Sequence, residues 1–108
     1  MLLVTGTIRI APERLAEAQP AMQKVIAASR KEEGCLEYSY AEDILEPGLV
    51  HITERWVSQA AFDEHFASSH IAEWCGSWKN LGIAERRLSI FHVDEPQAIP
   101  LRAQIKIA

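Results

Sequence analysis

Thiols are scarce in this chain. Cys35 and Cys75 stand 40 positions apart, and no Cys-x-x-Cys occurs, which argues against a zinc ribbon or a thioredoxin-type dithiol. Both are expected to be reduced and packed. Long apolar runs are missing too, since no stretch approaches the roughly 18 residues a membrane span requires. The opening MLLVTGTIRI lacks a basic leader and a small-residue cleavage pattern, and so reads as a strand of a cytoplasmic protein. Runs of Lys or Arg are absent, and the formal charge of −4 from 11 basic and 15 acidic side chains is mild, so nucleic acid is not an expected partner. The five glycines form neither G-x-G-x-x-G nor G-x-x-x-x-G-K-[ST], and nucleotide cofactors are not indicated.

What the chain does have is enough apolar content for one core: 48% of 108 residues. A domain of this size buries only about two-thirds of its unfolded surface, so dimerisation would add welcome stability. Residues 2–10 alternate with period two, as a half-buried strand does. From Pro12 the period changes to that of a helix, carried by Leu15, Ala18, Met22, Val25 and Ile26 through to Glu33, with a kink or restart expected near Gln19 because Pro20 removes a backbone donor. Gly34 is the natural residue to end that helix.

A second strand follows from Cys35, with Leu36, Tyr38 and Tyr40 on one side and Cys35, Glu37, Ser39 and Ala41 on the other. Pro47-Gly48 marks a turn into a third strand, LVHITERW at 49–56, paired as a hairpin. Ser58 can cap a helix through Phe62 and His65, and Ser68 or Ser69 can cap another through Ile71, Trp74 and Trp78. RRLSIFHV at 86–93 is the fourth strand. Residues 1–93 thus form one domain, and 94–108 form an extension suited to packing on a partner subunit, with a possible short strand at 105–107.

The order βαββαβ describes an α+β, ferredoxin-like fold with an antiparallel sheet. Its uncovered face is expected to carry either Leu36, Tyr38 and Tyr40 or Val50, Ile52 and Trp56. Neither set suits water, so a second copy of the chain is the expected cover.

Among the chemical groups, FDEHFASSH at 62–70 invites a metal reading. On one continuous helix, however, His65 and His70 would lie about 140° apart, so a single-helix metal site is excluded and no metal is assigned. A break at Ser68-Ser69 would instead set His70 in the first turn of a new helix, across a cleft from His65, where the helix N-terminus disfavours its charged form. The plainer alternative makes His65 a half-exposed helix residue and His70 a capping side chain. Glu54, beside Ile52 and Trp56, is either a desolvated carboxyl with a raised pKa or the salt-bridge partner of Arg55, Arg86 or Arg87. Trp74 and Trp78 make an aromatic stripe that serves the core or walls a pocket.

The segments EEGCLEYSYAED at 32–43 and ITERWVSQAAFDEHFASSH at 52–70, followed by the strand-like RRLSIFHV, resemble the antibiotic biosynthesis monooxygenase family, in particular its small quinol-monooxygenase-like members. The likeness spans roughly residues 1–93. It implies a dimeric α+β barrel with a pocket between sheet and helices, and chemistry without metal, flavin or haem, in which a deprotonated aromatic substrate itself gives an electron to O2. By this resemblance Trp56 matches the pocket tryptophan, with Tyr38, Phe62 and Trp74 as further substrate-binding walls and His65, His70 and Glu54 as the catalytic set. The polyketide oxidisers carry Asn and Tyr where this chain has Ile52 and Phe62. The haem-degrading relatives use an Asn and a His where it offers Thr5 or Gly6 and Trp74, so haem degradation is disfavoured. A Glu with two histidines is also seen in a branch that resembles the isomerase of phosphorylated autoinducer-2 intermediates. Three functions therefore stand: a cofactor-free monooxygenase acting on a quinol or other electron-rich aromatic, a proton-transfer isomerase of a small ketose-like phosphate, and a non-catalytic ligand-binding dimer.

Overall fold

The computed structural model describes residues 1–102. It contains β1 (Leu2–Arg9), a 3-10 turn (Pro12–Arg14), α1 (Leu15–Arg30), β2 (Cys35–Glu42), β3 (Leu49–Trp56), α2 (Gln59–Phe66), α3 (Ser69–Leu81) and β4 (Ala84–His92). All strand pairs are antiparallel and the order is β2-β3-β1-β4. This is the expected α+β, ferredoxin-like architecture. Residues 94–102 form no regular element, and the possible strand at 105–107 lies outside the described residues.

Two details of α1 differ from expectation. The helix runs unbroken through Pro20. Pro20 is exposed, so the carbonyl left without a partner one turn earlier faces water, and the helix tolerates the loss. The helix also stops at Arg30, before Gly34. Gly34 is required instead by a close approach, because a Cβ there would stand 2.3 Å from the Cβ of Ala61 on α2. Ser58 and Ser68 cap α2 and α3, accepting from the backbone N–H groups of Ala61 and Ile71.

The sheet's sidedness corrects the sequence reading more seriously. Tyr38, Val50, Ile52, Glu54 and Trp56 are all buried, and they share the helix-covered face with Leu2, Val4 and Ile8. The two apolar sets are thus not alternatives on opposite faces. Both line one face, and the open face carries Thr5, Thr7, Thr53, Ser39 and the Arg55–Glu37 pair at 2.8 Å. The open face is thus mixed rather than uniformly apolar, since Leu3 and its neighbour Phe91, the latter exposed, also point to it. Cys35 also changes sides: Cys35 stands opposite Trp56 and Glu37 opposite Arg55, so Leu36 is a one-residue bulge. Cys35 packs with Trp56 and Tyr38, while Leu36 is exposed.

The core has two lobes above this face. One joins Met22 and Val25 of α1, Ile71 and Trp74 of α3, and Ile8, Val50 and Ile52 of the sheet. The other holds Leu2, Val4, Tyr38 and Trp56 beneath Phe62 of α2.

Candidate active site

Between the sheet and the α2–α3 pair lies a cavity of about 460 Å³. Its walls are mostly apolar: Tyr40, Ile52, Phe62, Trp74, Trp78 and Leu88. Glu54 and His65 supply its buried polar floor, and Arg86 and Cys75 also line it.

Position 54 is on the buried side of β3 simply by alternation from Ile52 and Trp56. Its side chain is only 7% exposed, and Oε1 accepts the indole N–H of Trp56 at 3.0 Å. Burial pushes the carboxyl up to about 7; the Trp56 hydrogen bond and the nearby Arg86 guanidinium restrain the rise, and Glu32 adds to it. No arginine forms an ion pair with Glu54 among the described residues, since Arg55 bonds Glu37 instead. Of the two readings of this carboxyl, the desolvated one describes the structure.

His65 is the one buried residue of α2. Its ring lies 4.4 Å from that of Trp56 and 5.2 Å from that of Tyr38, which corrects the half-exposed alternative. Nδ1 meets Oε1 of Glu32 at 2.9 Å, and Nε2 is 3.7 Å from Oε1 of Glu54. Burial lowers the imidazole pKa, with Glu32 opposing. The favoured form is therefore a neutral ring whose Nδ1–H donates to Glu32, leaving the Nε2 lone pair on the cavity side.

The break at Ser68 brings His70 near, with ring centroids 5.9 Å apart. The two imidazoles do not face each other across a cleft. His70 Nε2 contacts the same Glu32 Oε1 that His65 meets, and His70 does not line the cavity. Glu32, His65 and His70 present three ligand atoms within 4.8 Å of one another, a set able in principle to hold a divalent cation. Both ring nitrogens converge on a single Glu32 oxygen, the arrangement of a hydrogen-bonded triad.

Trp56 is fully buried and is not a wall of the cavity; it lies under His65 and holds Glu54. Tyr38, Phe62 and Trp74 do line the space. Tyr38 and Tyr40 share a hydroxyl–hydroxyl hydrogen bond of 2.9 Å, and burial raises both phenols well above the usual range.

This sheet, its helix cover and the enclosed cavity can be compared with known proteins. The family model for antibiotic biosynthesis monooxygenase matches residues 1–76. The chain belongs to that family. It is 30% identical to the uncharacterized protein sll1783 of Synechocystis sp. over 98 residues, 91% of this chain and 67% of that protein. It is 27% identical to YcnE of Bacillus subtilis, a proposed monooxygenase, over 75% of this chain and 85% of the relative. A crystal structure of a proposed antibiotic biosynthesis monooxygenase from Deinococcus radiodurans superposes with a TM-score of 0.85 at 27% identity, covering 92% of this chain and 98% of that one.

Within this family member, sequence reasoning missed Glu32 as a site group. Glu32 sits in the turn after α1, where acidic residues are usually solvated. Its carbonyl accepts from Cys35 N–H at 3.1 Å and its N–H donates to Ser29 at 3.0 Å. Gly34 then lets α2 close on that turn, so Glu32 reaches His65. The sequence signal that could have found it is its place at the head of EEGCLEYSYAED, two residues before Gly34, in a segment that carries the family resemblance. Tyr40 and Arg86 were also left out of the site, although they line the cavity, and Trp78, offered as either core or pocket wall, lines it with Trp74. The indole N–H of Trp78 has no hydrogen-bond partner among the described residues. No helix of the described residues is long and apolar enough to cross a membrane.

Proposed function

We propose that this family member is a cofactor-independent monooxygenase that oxidises a quinol or other electron-rich aromatic with O2. The observation that carries the reading is the aromatic-walled cavity with Glu54 and His65 buried at its floor. A planar aromatic in this cavity would meet Phe62, Tyr40 and Trp74 by offset or edge contacts.

Neutral His65 accepts the phenolic proton at Nε2 and Glu54 serves as the adjacent acid–base group. The resulting anion gives an electron to O2, and recombination forms a C–O bond at an electron-rich ring carbon. Loss of the ring hydrogen and cleavage of the O–O bond leave one oxygen as a new carbonyl and release the other as water. Phenol plus O2 thus balances against quinone plus water. Low polarity strengthens any hydrogen bond to the developing anion. The walls favour this substrate class over a phosphorylated ketose, because Arg86 is their only cationic side chain.

The proposal includes a homodimer, supported by a sheet face that no element of the described residues covers and by the irregular segment 94–102 that follows β4. It also includes a cytoplasmic site of action, supported by the reduced-type cysteine usage, as neither cysteine is paired.

The test is oxygen uptake by the purified protein with hydroquinones and naphthoquinols and no added cofactor. Uptake with loss of at least about 100-fold in a His65→Ala, Glu54→Gln double variant is expected. Solvent deuterium incorporation into a hydroxyketone phosphate without oxygen consumption would replace this reading by the isomerase. Ligand binding with neither reaction would leave the binding module.

A further inference from the structure

We propose that Glu32 and His70 form the outer half of a proton path that joins the cavity to solvent through His65. The inference rests on the oxidation reading above for the source of the proton.

Four acid–base groups from four separate parts of the chain stand in a row: Glu54 on β3, His65 on α2, Glu32 in the turn before β2 and His70 at the start of α3. The gaps are 3.7 Å from Glu54 Oε1 to His65 Nε2 and 2.9 Å from His65 Nδ1 to Glu32 Oε1, with Glu32 Oε1 in direct contact with His70 Nε2. Exposure rises along the row, from 7% and 3% for the Glu54 and His65 side chains to 19% and 21% for Glu32 and His70. The inner pair lines the cavity and the outer pair does not; His70 opens on a separate hollow beside Lys24 and Glu73.

A packing role would not require every gap to join two titratable atoms. An imidazole bonded at one nitrogen and free at the other relays protons without turning over, because it accepts at Nε2 and releases from Nδ1. The substrate O–H breaks and its proton goes to His65 Nε2, while the Nδ1 proton passes to Glu32 Oε1. Glu32 hands it to His70 Nε2 when His70 holds its own proton on Nδ1, and that proton leaves to water. Run in reverse, the row returns a proton when the second oxygen departs as water, which restores the starting tautomer of His65. The other groups facing the row are the Tyr38 phenol and the Cys35 thiol from β2, Arg86 from β4, and Lys24 and Glu73 at the exit.

The experiment uses the full chain, Glu32→Gln and His70→Ala. Oxygen uptake with a hydroquinone is followed against buffer concentration, substrate affinity by calorimetry, and the His65 titration by nitrogen NMR. Both variants are expected to retain substrate affinity and to lose at least about tenfold in turnover. Added imidazole is expected to restore His70→Ala in a concentration-dependent way. Wild-type turnover in both variants, or a loss that imidazole does not relieve in His70→Ala, overturns the path. If the wild-type protein consumes no oxygen with any quinol, the oxidation reading fails on its own, and NMR then decides. A His65 midpoint lowered in Glu32→Gln sustains the row for another cavity substrate, and an unchanged midpoint overturns it.

Discussion

The indole N–H of Trp56 donates to Oε1 of Glu54 at 3.0 Å while the imidazole ring of His65 lies 4.4 Å from the indole. Trp56 therefore acts on the cavity from beneath, through the two polar groups that it touches. Replacing it with Phe removes the hydrogen bond that favours ionised Glu54. The Glu54 carboxyl is expected to titrate above its present value of about 7, and the variant to lose about 1–3 kcal/mol of stability. Carbon NMR of the glutamate carboxyls and urea unfolding check the two parts; a Glu54 midpoint that falls would refute the assignment.

Glu54 also sets a pH dependence of stability. Its folded pKa, about 7, exceeds the ordinary 4.5, so between these values the native state holds more protons than the unfolded chain. Stability from this group is complete below about pH 4.5 and is lost as pH rises through 7. His65, whose pKa is lowered by burial, works the other way and loses its contribution as pH falls below about 6.5. Glu54→Gln removes the first effect alone. Relative to wild type, the variant is expected to gain roughly 2–3 kcal/mol between pH 5 and pH 8 in denaturant unfolding. A pH-independent difference would show that Glu54 is not desolvated.

Tyr38 and Tyr40 are the only tyrosines of the chain, and each phenol is raised mainly by burial. Absorbance at 295 nm, which reports phenolate, is expected to stay flat with rising pH until the fold itself is lost. Coincidence of that absorbance change with loss of the circular dichroism signal is the check. An earlier phenolate step would mean that water reaches the pair.

Two glycines should respond in opposite directions to alanine. At Gly6 a Cβ would stand 1.8 Å from the carbonyl oxygen of Arg87 and 2.7 Å from the Cα of Leu88, backbone atoms of a paired strand that cannot yield. Gly6→Ala is expected to separate β1 from β4, at a cost of at least about 3 kcal/mol. Gly76 lies inside α3 with nothing within 4 Å of its Cβ position, so Gly76→Ala is expected to stabilise by about 0.5–1 kcal/mol. Thermal unfolding of both variants tests the pair.

The element order and the four-stranded sheet were legible because each strand keeps period two and each helix has its serine cap or terminal turn. Sidedness was not. The bulge at Leu36 inverts the parity of β2 between Cys35 and Tyr38, and alternation alone cannot reveal an extra residue. Pro20 misled for a related reason, since whether a lost hydrogen bond breaks a helix depends on which way the orphaned carbonyl faces. Glu54, His65, Tyr38, Phe62 and Trp74 were readable as groups near one pocket because they flank the strand–helix junction at Trp56. Glu32 was hidden by distance along the chain: 33 residues separate it from His65, and only the tight seat of Gly34 against Ala61 brings them together.

All three tryptophans of the chain belong to this one region, Trp74 and Trp78 on the cavity wall and Trp56 beneath its floor. No indole elsewhere contributes background. The protein thus carries its own optical reporter: intrinsic fluorescence will register whatever enters the cavity and, through the imidazole lying against Trp56, the protonation of the floor, without a label and without knowledge of the substrate.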